Sequence, residues 1–124
     1  MITYRKDPEL HQICSRIAER LGFNWIDASR VTCVRSRGSK SRRTLARCHA
    51  LPKIMQEALG IKGHYVIELI SENFDGLSRQ EKVKTIIHEL MHIPGTMGGG
   101  FRHHRTCVNR RAVDRMYEKL MSGS

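Results

Sequence analysis

Apolar residues recur at two spacings along this chain, and the changes from one to the other mark out helices and strands. Leu10, Ile13, Cys14, Ile17 and Leu21 share one helical face, with Arg16, Glu19 and Arg20 opposite. Asp7 stands where an N-cap belongs, Pro8 at the first helical position and Gly22 just past the end. The spacing therefore predicts an N-terminal packing helix, with His11 on its exposed rim. A second helical stripe runs through Val83, Ile86, Ile87, Leu90 and Met91. Ser78-Arg79-Gln80-Glu81 before it is a capping-box sequence, with Leu77 placed as a staple, and Pro94-Gly95 stops the helix. Val108, Ala112, Val113, Met116, Tyr117 and Leu120 predict a last helix, and Pro52 to Gly60 a short one.

Strand signals lie between these helices. His64-Tyr65-Val66-Ile67-Glu68-Leu69-Ile70 is the strongest, rich in β-branched residues and flanked by turn formers. Val31 to Arg35 and Arg43 to His49 read as two strands joined by the turn Arg37-Gly38-Ser39-Lys40-Ser41, which together predict a β-hairpin. Phe23 to Asp27 reads as a connector whose Trp25 plugs the edge of the core. Ser71 to Leu77 reads as a loop, and Gly95 to Phe101 as a mobile glycine loop able to gate access. The expectation is one α+β domain over residues 1–124. In it, a small, mostly antiparallel sheet of about three strands packs on the N-terminal helix, the central helix and the C-terminal helix.

The central helix carries chemistry. His88-Glu89-Leu90-Met91-His92 is an H-E-x-x-H sequence. Histidines at i and i+4 lie one turn apart on the same face, so both rings can bind one metal ion. Glu89 can then reach a water held there rather than the metal itself. This is the zincin arrangement, with two histidine ligands to Zn²⁺ and a glutamate general base. The plain alternative is two ordinary histidines on a helix. A catalytic zinc wants a third protein ligand. The metzincin pattern would place a histidine six residues after His92, where this chain has Gly98. A downstream acid could serve, and Asp114 and Glu118 are the two that remain. The reading preferred here folds the glycine loop back, so that His104, or alternatively His103, closes the site. Tyr117, Tyr65 or His103 could supply a donor to the transition state.

Charge adds a partner. Lysine and arginine number 22 against 12 acids, for a net charge of +10. That balance favours a polyanion, nucleic acid first, or else reflects a solvated basic surface. Arg30, Arg35, Arg37, Lys40, Arg42, Arg43 and Arg47 cluster with no acid among them. The Ser/Gly turn they surround could hold phosphates, although it has no aromatic residue for base stacking. The four cysteines are dispersed without a C-x-x-C pair, which points to buried thiols; a Cys33–Cys48 bridge would need their strands to be adjacent. No apolar run suits a membrane span or a signal peptide, so the expected location is cytoplasmic.

Ile87-His88-Glu89-Leu90-Met91-His92-Ile93-Pro94, with Arg37-Gly38-Ser39-Lys40-Ser41-Arg42 before it and Arg102-His103-His104 after it, resembles the archaeal and phage putative metallopeptidase family. The resemblance runs from about Trp25 to Tyr117. That family's Arg-x-His after the loop maps onto Arg102 and His104. The organisation is more loosely similar to the SprT-like protease domain of DNA–protein crosslink repair, although no zinc ribbon follows here. The resemblance implies a zinc peptidase acting on a peptide or protein substrate, with His88, His92 and His104 as ligands and Glu89 as base. The rival expectation is a basic nucleic-acid-binding module in which Arg35, Arg37, Lys40, Arg42 and Arg43 make the contact and the metal is structural or vestigial.

Overall fold

A computed structural model describes residues 1–102 and 107–123. Strand β1 (Thr3–Lys6) leads into helix α1 (Pro8–Arg20). Strands β2 (Val31–Arg37) and β3 (Ala46–Ala50) follow, then helix α2 (Lys53–Leu59) and strand β4 (Tyr65–Ile70). The one-turn helix α3 (Ser71–Phe74) precedes α4 (Arg79–Met91) and α5 (Arg110–Ser122).

The helices start and stop where their caps dictate. The Asp7 carboxylate accepts from the Leu10 amide at 3.0 Å, and Gly22 beyond the end has φ +74°. Ser78 Oγ accepts from the Glu81 amide at 3.2 Å, the Ser78 half of the anticipated capping box. Asn109, rather than any residue singled out in the sequence, caps α5.

The sheet departs from expectation. Its order is β1-β2-β4-β3. β1 with β2 and β3 with β4 are antiparallel, and β2 with β4 is parallel. β2 and β3 therefore do not form the predicted hairpin, because β4 lies between them. The reason is burial. β4 is apolar and covered nearly throughout, which suits a central strand with a partner on each edge. Cys33 and Cys48 accordingly flank Ile67 from opposite sides, and both are free thiols. β1 was missed because its residues are all exposed and carry no apolar alternation. The Ser71–Leu77 loop contains the single turn of α3.

One sheet face carries Val31, Cys33, Tyr65, Ile67 and Leu69, buried against Leu10, Cys14 and Ile17 of α1 and Ile86, Ile87 and Leu90 of α4. Burying side chains of this size stabilises by roughly 1.5–3 kcal/mol each. Trp25 packs on Phe23 at a ring distance of 5.0 Å, and its indole N–H donates to the Ile93 carbonyl at 3.0 Å. The end of α4 is thereby tied to the core edge. No helix among the described residues is long and apolar enough to cross a membrane.

Candidate metal centre and cleft

Helix α4 buries Ile86, Ile87 and Leu90, so its register is set by packing. That register brings the two histidines together, with His88 Nε2 and His92 Nε2 3.2 Å apart. Two nitrogens bound tetrahedrally to zinc at about 2.0–2.1 Å stand about 3.3 Å apart, so the pair fits one ion. The His92 ring is oriented from behind. Its Nδ1–H donates to the Arg102 carbonyl at 3.0 Å, and the Arg102 amide donates back to the His92 carbonyl at 2.9 Å. With the proton on Nδ1, Nε2 of the neutral ring presents its lone pair.

Glu89 is 7% exposed. Burial alone raises its carboxyl from the ordinary 4.5 to about 7, into the range useful for a general base. Beside it lies Cys48, whose thiol is pushed up to about 12 by burial first and by the Glu89 charge second. Cys48 is an uncharged wall residue.

Two cavities meet at this point, and Thr44, Ala46, His88 and Glu89 line both. One, of about 790 Å³, continues past Cys48, His92, Phe101 and Arg102. The other, of about 420 Å³, continues between Lys84 and Thr85 of α4 and Arg110 and Val113 of α5. Together they form a trough open on both sides of Glu89. Its floor is strand β3, which pairs with β4 on one side and, among the described residues, with no strand on the other. Ala46, Cys48 and Ala50, the small residues of β3, pack toward the core side. Ala46 and Cys48 line the trough, and their size leaves it its volume. The free edge beside α4 thus belongs to β3, not to β4. Both edges of that strand are taken.

The segment after α4 is strapped down. Arg30 donates to the Gly63 carbonyl at 2.7 Å and the Met97 carbonyl at 3.0 Å. Gln56 donates to the Gly98 carbonyl at 3.1 Å. The Tyr65 hydroxyl donates to the Gly100 carbonyl at 2.7 Å and accepts from the Gly99 amide at 3.0 Å. A Cβ on Gly63 would collide with the Met97 carbonyl, so glycine is required at that approach. Met97 itself is 1% exposed and holds φ +49°, a left-handed conformation uncommon for a non-glycine residue. The glycine loop is thereby a strap, bonded at Met97, Gly98, Gly99 and Gly100. The part that Arg30, Gln56 and Tyr65 play in the strap carries no sequence signal, because each reaches it from far along the chain.

Other candidates are placed as follows. Tyr65 is buried and its hydroxyl is committed to the strap, and Tyr117 stacks under the Lys84 ammonium at 5.2 Å; neither is among the residues lining the trough. Asp114 lines the α5 side but pairs with Lys84 at 3.0 Å, and Glu118 is exposed. Among the described residues no group of three or more His, Cys, Asp or Glu side chains is gathered for a metal. His103 and His104 lie outside the described residues. Arg35 is engaged in ion pairs within the fold. It pairs with Asp7 at 2.7 Å and with Asp75, clamping β2 to the start of α1 and the end of α3. Its guanidinium pKa is raised because these partners outweigh the burial that would lower it. Arg37 at the end of β2 stays exposed, as do Lys40, Arg42 and Arg43 on the loop between β2 and β3, whose backbone Asn73 grips through the Ser41 and Thr44 carbonyls.

A family model described as "Putative phage metallopeptidase" matches residues 2–121. The chain belongs to the putative phage metallopeptidase family. The match spans nearly all 124 residues, so β1 and α5 are part of the family's domain as much as the H-E-x-x-H helix is. No curated protein and no solved structure gives a match. Membership in a metallopeptidase family agrees with the convergent His88 and His92 nitrogens.

Proposed function

We propose that this chain is a zinc-dependent endopeptidase-type hydrolase with Glu89 as its general base. The observation that carries the reading is the 3.2 Å approach of two histidine nitrogens beside a buried carboxylate in a two-ended trough. His88 and His92 would hold Zn²⁺, with His104, or alternatively His103, as third ligand. Bound zinc supplies Lewis acidity and lowers the pKa of a coordinated water to about 7. Glu89 takes the proton of the attacking water on a carboxylate oxygen and passes it to the leaving amine. The burial that raises its pKa makes that proton easy to accept and to return. The substrate adds as a strand along the free edge of β3, its backbone paired with the Ala46–Ala50 segment. Because the trough runs past Glu89 in both directions, internal bonds suit it better than chain ends.

The test is paired metal titration and peptide hydrolysis. Wild type should bind one Zn²⁺ per chain and cut an unstructured protein such as casein at internal bonds. His88→Ala and His92→Ala should each lose the high-affinity zinc and the cleavage together. Cleavage that persists in both variants would remove the proposal.

A second reading is supported by exposed Arg37 at the end of β2 and by the loop that follows with Lys40, Arg42 and Arg43, which reaches the trough at Thr44. It makes the protein a nucleic-acid-associated module, either a SprT-like protease or a binder whose metal is structural. It expects salt-sensitive DNA or RNA binding that falls when Arg37, Arg42 and Arg43 are changed to Gln. Binding unchanged by those substitutions would reject this placement.

A further inference from the structure

The two arms of the trough differ in charge. On the α5 side Lys84 and Arg110 are matched by Glu81 and Asp114, and Lys84 is already paired with Asp114 at 3.0 Å. On the His92 side the wall carries Arg47 and Arg102, and among the described residues the only carboxylate lining it is Glu89 at the reacting centre. Arg102 is held in place through its backbone exchange with His92, and among the described residues no carboxylate pairs with its guanidinium. Arg47 leans on Glu68 at 3.5 Å with its side chain 42% exposed. That carboxylate is shared with His49 at 2.7 Å, so the Arg47 contact is loose and leaves N–H donors for another acceptor.

Position on the strand sharpens this. Side chains alternate across an extended chain, so a peptide paired with β3 points successive residues to opposite faces of the sheet. One set faces the small residues Ala46 and Cys48, and the other lies along Arg47. An aspartate or glutamate of that second set meets a guanidinium, which can bind a carboxylate through two parallel hydrogen bonds.

We infer that the His92 arm selects acidic side chains, held by Arg102 and Arg47, while the α5 arm makes no such selection. The inference rests on the peptidase reading for the path of the bound chain. Its preferred substrates are acidic peptide segments whose carboxylates fall on one side of the cleaved bond.

The experiment separates binding from turnover. Zinc-loaded Glu89→Gln protein is titrated with fluorescein-labelled peptides of one length, Asp/Glu-rich or Lys-rich, and cleavage of both is followed with wild type. The acidic peptide should bind about tenfold or more tightly, as expected of a charge-assisted hydrogen bond. Arg102→Gln with Arg47→Gln should abolish the preference, and Arg102→Glu with Arg47→Glu should reverse it. Arg102→Gln alone breaks no ion pair of the described fold and should lose part of it. Arg16→Gln with Arg20→Gln removes the same charge from the exposed face of α1 and should leave it intact. Equal binding of the two peptides, no measurable binding of either, or an equal loss in the α1 variant would each overturn the inference, whatever wild type cleaves. Preferential binding without cleavage by wild type would uphold the inference and count against the peptidase reading alone.

Discussion

Helix α4 and the strap that follows it meet at His92, yet different kinds of neighbour hold them in place. α4 is specified locally. Ser78 caps its start, its apolar stripe fixes which side faces the sheet, and Pro94 lies just beyond its end. The strap has almost no local support. It depends on Arg30, Gln56 and Tyr65, drawn from three other elements, and on the absence of a side chain at Gly63. The difference shows how a small domain orients a helix that carries two convergent histidines. Packing sets the pitch of the two histidines, and a strap bonded to distant residues sets the ring of the second through the Arg102 carbonyl.

The largest disturbance should come from the packed side of α4. Ile87 is fully buried, and Ile87→Ala should cost about 2–5 kcal/mol in denaturant unfolding. A loss under 1 kcal/mol, on the order of an ordinary surface change, would mean that α4 is not anchored by its stripe. Glu89 should act in the opposite sense. Its carboxyl rises from 4.5 in the unfolded chain to about 7 in the fold, so the native state binds the extra proton between those values. Stability from that proton is complete below pH 4.5 and lost as pH rises through about 7. Measured with chelator, Glu89→Gln should therefore be more stable than wild type above pH 7, by about 3 kcal/mol at most, and equal to it in acid. A pH-independent difference would contradict the burial of that charge.

The strap should yield smaller and more local effects. Tyr65→Phe removes the hydroxyl shared by Gly99 and Gly100 and should cost about 1–3 kcal/mol. It should speed hydrogen exchange at the Gly99 amide while leaving the α4 amides protected. Spread of faster exchange into α4 would erase the distinction drawn here. Smallest of all, Ser78→Ala should cost about 1 kcal/mol through the lost cap, visible as a lower Tm.

The same division explains what could be read from the chain. α1, α4, α5 and the convergence of His88 and His92 were legible because caps and stripes act over a few residues, and Asp7, Ser78 and His88 needed nothing distant to declare themselves. The sheet order was not. Val31–Arg37 and Ala46–Ala50 look like a hairpin, and only the burial of β4 on both edges shows why another strand must enter between them. Arg35 and Arg47 looked like free charge in a basic run, but their acidic partners Asp7, Asp75 and Glu68 lie far off in sequence. The trough itself was invisible for the same reason, since its floor and its wall come from β3 and α4, some forty residues apart.

The most direct test of the central claim compares wild type with Glu89→Gln, both loaded with zinc, on one peptide substrate. Equal zinc content with cleavage slower by about 10²–10⁴-fold in the variant is the expected result for loss of a general base. A Glu89→Gln protein that holds zinc and cleaves as fast as wild type would contradict the account.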